Sequence, residues 1–212
     1  MKPAKKRIVD IIRTLRVEYP AAKTALRYGS AFELLVATIL SAQCTDERVN
    51  KITPGLFKRY KGPGNFARLR QRALEKEIHS AGFYRNKAKN IIAASKKIVK
   101  KFNGRVPDTM DALTSLPGVA RKTANIVLSS YFRRAEGIAV DTHVKRLSGR
   151  IGLSLEKDPV KIERDLMRIV PRRDWLDFNH LLVSHGRKVC VARKPFCREC
   201  VIGHLCSFKD RL

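Results

Sequence analysis

The 212-residue sequence predicts an all-α protein, and three observations carry that prediction. Apolar residues recur at three- and four-residue spacing along most of the chain. The period-two alternation rich in β-branched residues that marks strands is hardly found. Breaks containing proline and glycine cut the chain into pieces of helix length, about ten in all. Hydrophobic residues make up 44% and charged residues 30%, ordinary for a globular protein, and the length suits one large domain or two small ones. No low-complexity tract, tandem repeat or long linker is visible.

From the N-terminus, Ile8, Ile11, Ile12 and Leu15 form one stripe. The longest uncharged apolar run, "LLVATILSA" from Leu34 to Ala42, falls far short of the roughly twenty residues a membrane span needs. Asp10, Arg13 and Arg16 interrupt any signal-peptide core in the basic N-terminus. The expectation is a cytoplasmic protein, nucleoid-associated if the host is prokaryotic, with no membrane partner. A second stripe runs through Ala88, Ile91, Ile92, Ser95, Val99 and Phe102, with Lys87, Lys89, Lys96, Lys97 and Lys100 largely off it. A third, Ile162, Leu166 and Ile169, follows Asp158-Pro159, a helix cap and an early proline. Breaks are expected at Pro20, Lys61–Asn65, Asn103–Asp108 and Gly152–Pro159.

The charge is less ordinary. Forty-five Lys and Arg against nineteen Asp and Glu give +26. Acidic surfaces, ribosomes and membranes attract basic proteins, but the commonest polyanion partner is nucleic acid.

The centre of the chain supplies a way to hold it. In "DTMDALTSLPGVARKTANIVLSSYF", Asp108 to Phe132, a short helix leads through Pro117-Gly118 into a longer one. A glycine there lets the backbone approach a phosphate, and the free N–H groups of the second helix point the same way. A helix–hairpin–helix grips a DNA backbone like this without reading sequence. The ordinary alternative is a plain helix–turn–helix connection. Lys122 falls in the first turn of the second helix, either as a solvated or phosphate-binding lysine or as a nucleophilic amine. The helix N-terminus and Arg121 both disfavour an extra positive charge at that position. Downstream, in "GIAVDTHVKRLSGRIGL", Asp141 opens a helix as an N-cap, and a capping carboxylate is held rigidly enough to serve catalysis as well.

Four of the five cysteines crowd into "CVARKPFCRECVIGHLC", Cys190 to Cys206. Two disulfides, a zinc ion and an iron–sulfur cluster all use four cysteines. An intracellular setting disfavours disulfides, and the spacing does not separate the other two.

Taken together, "FELLVATILSAQCTDERVNK", "GFYRNKAKNI", "VPDTMDALTSLPGVARKTANIVL", "IAVDTHVKRL", "HGRKVCVARKPFC" and the spacing C-x6-C-x2-C-x5-C resemble the endonuclease III family of helix–hairpin–helix DNA glycosylases, over nearly the whole chain and in its order. The resemblance implies two helical domains flanking a DNA cleft. Residues 23–135 would form a six-helix barrel carrying the hairpin. Residues 1–22 and 136–212 would form a second domain holding a 4Fe-4S cluster on Cys190, Cys197, Cys200 and Cys206. It implies a monomer that removes oxidised or ring-saturated pyrimidines from duplex DNA and nicks the abasic site by β-elimination. Lys122 would be the nucleophile and Asp141 its catalytic partner. Gln43 would fill the gap left by the extruded nucleotide and Phe83 would wedge the opposite side. Gly118, Ala120, Arg121, Arg187, Arg193 and Lys194 would meet the DNA backbone.

Two departures stand out. The family commonly has a second hairpin glycine where this chain has Ala120, whose methyl is tolerated only if φ is negative. It often has leucine where Phe83 stands. Cys44 reads as a small buried residue beside the site. Two rivals remain: a monofunctional mismatch or adenine glycosylase of the same fold, which generally lacks the lysine, and a non-catalytic hairpin module with a structural metal.

Overall fold

The structure, a computed structural model, describes residues 4–208. All its regular elements are helical: eleven α-helices with short 3-10 and π turns among the described residues. The chain divides into two compact units, one at Ala25–Phe132 and the other drawn from Met1–Thr24 and Arg133–Leu212. These boundaries differ by two to three residues from the expected 23 and 135.

The discontinuous unit begins with α1 (Ala4–Glu18), whose Ile8, Ile11, Ile12 and Leu15 are all buried. The inserted unit contains α2 (Ala31–Leu40), α3 (Asp46–Arg59), α4 (Pro63–Ala67), α5 (Gln71–Ile78), α6 (Tyr84–Lys101), α7 (Met110–Thr114) and α8 (Arg121–Val127). Eight of the ten residues of α2 are buried. At about 1.5–3 kcal/mol for each large apolar side chain, this helix is the centre of the unit. Ser30 caps it through the Glu33 amide, and the Glu33 carboxylate accepts from the Gly29 amide in return. A turn of π-helix, Leu128–Phe132, ends the unit.

Two expectations are corrected here. The break at Lys61–Asn65 is shorter than expected, because Pro63 starts α4 at a position where its missing N–H costs nothing. On α6 the buried stripe runs through Ile98, leaving Val99 43% exposed, whereas Lys87 is buried. The helix turns the face one residue earlier than the apolar pattern suggested, and two carbonyls accept the Lys87 ammonium inside.

The discontinuous unit continues with α9 (Thr142–Ile151), α10 (Pro159–Ile169) and α11 (Trp175–Lys188). Asp158 caps α10, accepting from the Val160 and Lys161 amides at 3.0 Å each, and Pro159 follows it. The ends of the chain meet through Arg7, only 4% exposed. Its guanidinium donates to the Ile151 carbonyl at 3.1 Å and also to the Leu205 carbonyl. No helix among the described residues is long and apolar enough to cross a membrane.

Candidate active site and nucleic-acid interface

Within the inserted unit, α6 acts as a ruler for three turns. Phe83 is its N-cap, Lys87 follows in the next turn, Asn90 lies under the hairpin, and Lys97 donates to the Ser115 carbonyl at 2.6 Å. The hairpin itself joins α7 to α8 through Ser115–Ala120, with Leu116 and Val119 buried as its anchors.

Gly118 has φ +75, and a Cβ there would lie 2.7 Å from Asn90 Cβ. Both the left-handed backbone and the contact require glycine. Ala120 has φ −83 and ψ 167, an extended conformation open to any residue, so its methyl fits. Gly118→Ala should therefore cost about 2 kcal/mol or more, combining left-handed strain with a side-chain clash. Ala120→Gly should cost under about 1 kcal/mol, the entropy of added glycine. Thermal melts of the two variants check this, and equal melting temperatures would remove the special role of Gly118.

Lys122 is exposed in the first turn of α8, immediately after this turn. Gln43 and Phe83 share an unusual feature: each is a non-glycine residue in left-handed backbone, with φ 52 and 47. Such backbone costs on the order of 1–3 kcal/mol per residue and persists where the surroundings over-determine it. Both side chains point to solvent, and Phe83 is 66% exposed. Phe83 is therefore not packed into the core beside Tyr84; the Tyr84 ring meets His79, ring centroids 4.5 Å apart. Cys44 is half-buried against the core. An open cleft of about 820 Å³ lies at the other end of α2 and α6, lined by Ser30, Phe102 and Arg105. None of the chemistry-bearing residues lines it.

In the discontinuous unit, Asp141 is the N-cap of α9. Its Oδ1 accepts from the Val144 amide at 2.8 Å and its Oδ2 lies 3.3 Å from His143 Nδ1. His180 is buried nearby. Burial holds its imidazole below the usual histidine range, while Asp177 and Asp141 oppose that shift. The carboxylate is held rigidly yet keeps an oxygen away from the capping bond.

Cys190, Cys197, Cys200 and Cys206 line one cavity together with His185 and Arg150. None of them is in a disulfide. Among the described residues no three His, Cys, Asp or Glu side chains come together as a site for a metal ion. Burial pushes the Cys200 thiol up to about 11, and Cys206, Cys190 and Cys197 add to the shift. Burial lowers the His185 imidazole to about 4. Its Nε2 lies 3.4 Å from Cys200 Sγ and its Nδ1 3.0 Å from the Tyr19 hydroxyl. Two arginines of α9 hold the loop that leaves Cys190. Arg146 donates to the Cys190 carbonyl at 3.1 Å, and Arg150 donates to the Val191 and Ala192 carbonyls at 2.7 and 2.9 Å. The helix capped by Asp141 is thus bolted to the cysteine loop. Arg187, Arg193 and Lys194 are exposed, and Lys194 has φ 50.

The structure brings the four cysteines around one cavity and sets Gln43 and Phe83 at two ends of helices joined through Lys87. Sequence reasoning missed Lys87, Asn90, His143, His185, Arg146 and Arg150. All but Arg150 lie inside the motifs that carry the family resemblance, but periodicity alone gives them no role, because such polar residues read as a solvated face.

Residues 36–172 match the HhH-GPD superfamily of base excision DNA repair proteins. Endonuclease III of Synechocystis sp. is 54% identical over 206 residues, 97% of this chain and 94% of that protein. Endonuclease III of Escherichia coli (strain K12) is 40% identical over 96% of each chain. A solved structure of a trapped endonuclease III–DNA covalent intermediate superposes with a TM-score of 0.91 at 41% identity, covering 98% of this chain and 97% of that one. With a superfamily match over more than half its length and such relatives over nearly all of it, the chain belongs to the endonuclease III family of the HhH-GPD base excision repair superfamily.

Proposed function

We propose that this protein is a base-excision repair DNA glycosylase with abasic-site lyase activity, acting on oxidised or ring-saturated pyrimidines in duplex DNA. The observation that carries the reading is Lys122: an exposed amine in the first turn of α8, directly after a hairpin turn that only glycine can make at Gly118. Monofunctional relatives generally lack a lysine there, and a non-catalytic hairpin module has no need of Lys122 and Asp141 together.

The hairpin backbone, with Gly118, Ala120 and Arg121, binds phosphates on one strand, and Arg187, Arg193 and Lys194 bind others. A nucleotide leaves the stack at a cost of a few kcal/mol, offset in part by Gln43 and Phe83 entering the duplex. The Lys122 Nζ lone pair attacks C1′, the C1′–N bond to the base breaks, and the base leaves as it takes up a proton. Asp141 stabilises the positive charge that develops on the sugar and moves protons. The C1′–O4′ bond then opens, O4′ taking a proton, and leaves an iminium between Nζ and C1′; this acidifies a C2′ proton, whose loss expels the 3′ phosphate and nicks the strand. The working compartment is the cytoplasm, at the nucleoid in a prokaryotic host, and the active form is a monomer.

Cys190, Cys197, Cys200 and Cys206 would hold a 4Fe-4S cluster. The donor set fits: four thiols surround a cavity, with a buried imidazole beside Cys200. A lone zinc needs its thiolates about 2.3 Å from a single point, while a cubane spreads them around itself. When bound, the cluster supplies cationic charge that stabilises four otherwise repelling thiolates and fixes the basic loop.

Duplexes containing thymine glycol, and duplexes containing an abasic site, test the reading together. Nicking of both is expected, in protein that carries about four irons per chain. Base loss without nicking would point to the monofunctional rival, and neither activity to the binding module. Stoichiometric zinc without iron would overturn the cluster.

A further inference from the structure

Lys87 is a cation in an unfavourable place. It sits at the N-terminal end of α6, where the helix dipole disfavours positive charge, and it is 5% exposed. Burial lowers its ammonium below the usual lysine range, with only Cys44 opposing. Its ammonium donates to two main-chain carbonyls, Leu40 O at 2.7 Å and Ala81 O at 2.9 Å. Leu40 is the last residue of α2, where carbonyls run out of helical partners and the dipole favours a cation. Ala81 ends the 3-10 turn that leads into α6.

The identity of the two acceptors is informative. Gln43 follows Leu40 by three residues, and Phe83 follows Ala81 by two. Each lies just beyond its clamped carbonyl, and each is in left-handed backbone. The two turns belong to different helices, and one side chain bonds both.

We infer that Lys87 is a positioning residue for base extrusion: its ammonium ties the turn that presents Gln43 to the turn that presents Phe83 and so sets the spacing between them. The inference rests on the assignment of Gln43 and Phe83 as the side chains that enter the duplex. Two wedges acting on one base step must keep a set separation, and a displacement of about 1 Å at a distant site can cost 10²-fold in rate. A lysine bonded to two main-chain carbonyls and buried suits that purpose, because its ammonium is committed inside the protein and not offered at the surface.

The experiment compares base removal from a thymine glycol duplex with nicking of a preformed abasic site, both under single-turnover conditions. A 2-aminopurine placed next to the lesion reports unstacking. Lys87→Met keeps the length and loses the donors. It should slow base removal by about 10–100-fold, slow abasic nicking by less than about threefold, and abolish the fluorescence rise. If Lys87→Met does not fold, Lys87→Gln, which keeps one donating amide, is read by the same ratio. Equal losses on the two substrates, or an unchanged fluorescence rise, would mean Lys87 is only structural. Gln43→Ala runs alongside. A selective loss there with none from the Lys87 variants sinks the clamp alone. No selective loss from Gln43→Ala sinks the assignment beneath it and the clamp with it.

Discussion

Borohydride added to the protein and a lesion-containing duplex should leave a covalent protein–DNA adduct, and Lys122→Gln should abolish it. The reagent reduces the iminium that a lysine forms with C1′, so the adduct reports the nucleophile directly. Lys122 is exposed in the DNA-free chain, so a flipped nucleotide can reach it. Glutamine keeps most of the length and polarity but has no nucleophilic amine. Excision should fall by about 10³-fold or more, a loss of about 4 kcal/mol of transition-state stabilisation. Affinity for damaged duplex should stay within about threefold, since one exposed lysine among many is a minor phosphate contact. Adduct at wild-type yield from Lys122→Gln would assign the nucleophile to another amine.

The second large effect is expected at Asp141, where two roles can be separated by one atom. Asparagine caps helices about as well as aspartate, so Asp141→Asn should keep the bond from the Val144 amide, 2.8 Å in the wild type, and cost less than about 1 kcal/mol of stability. It removes the charge. If Asp141 stabilises a developing cation on the sugar, turnover should fall by about 10²–10³-fold while binding persists. Asp141→Ala should add a stability loss of about 1 kcal/mol for the missing cap. Measuring turnover and melting temperature for both variants separates the roles. Normal turnover in Asp141→Asn would make the residue a cap and nothing more.

The parts of the structure legible in the sequence are those governed by local rules. The stripe of α1, the Asp158-Pro159 start of α10 and the Asp141 cap each follow from neighbours within four residues. The hairpin was legible as Pro117-Gly118, but the fate of Ala120 was not. Its tolerance depends on a φ that the two packed helices set, and the sequence around a turn does not determine that angle. Lys87 falls off the apolar stripe in the sequence, and its reason for burial lies 47 residues away, at the carbonyl of Leu40. The cysteine spacing leaves zinc and iron–sulfur open, and only the family resemblance tips the choice toward a cluster.

The Arg7 contacts have a consequence for how the chain is made. Arg7 and Ser207, 3.4 Å apart, are separated by 200 residues of sequence. At about 5–20 residues per second, α1 leaves the ribosome about 10–40 s before its last partners exist. The inserted unit, Ala25–Phe132, is contiguous and holds its own core, so it can fold as it emerges. The apolar face of α1 packs chiefly on α11 and α10, so it stays uncovered until those helices have been made. Assembly therefore runs inward first, and the earliest helix buries its side chains only once α10 and α11 have been made. A chain stopped at that stage would carry a finished hairpin and an unburied N-terminal helix, a substrate for chaperones and proteases.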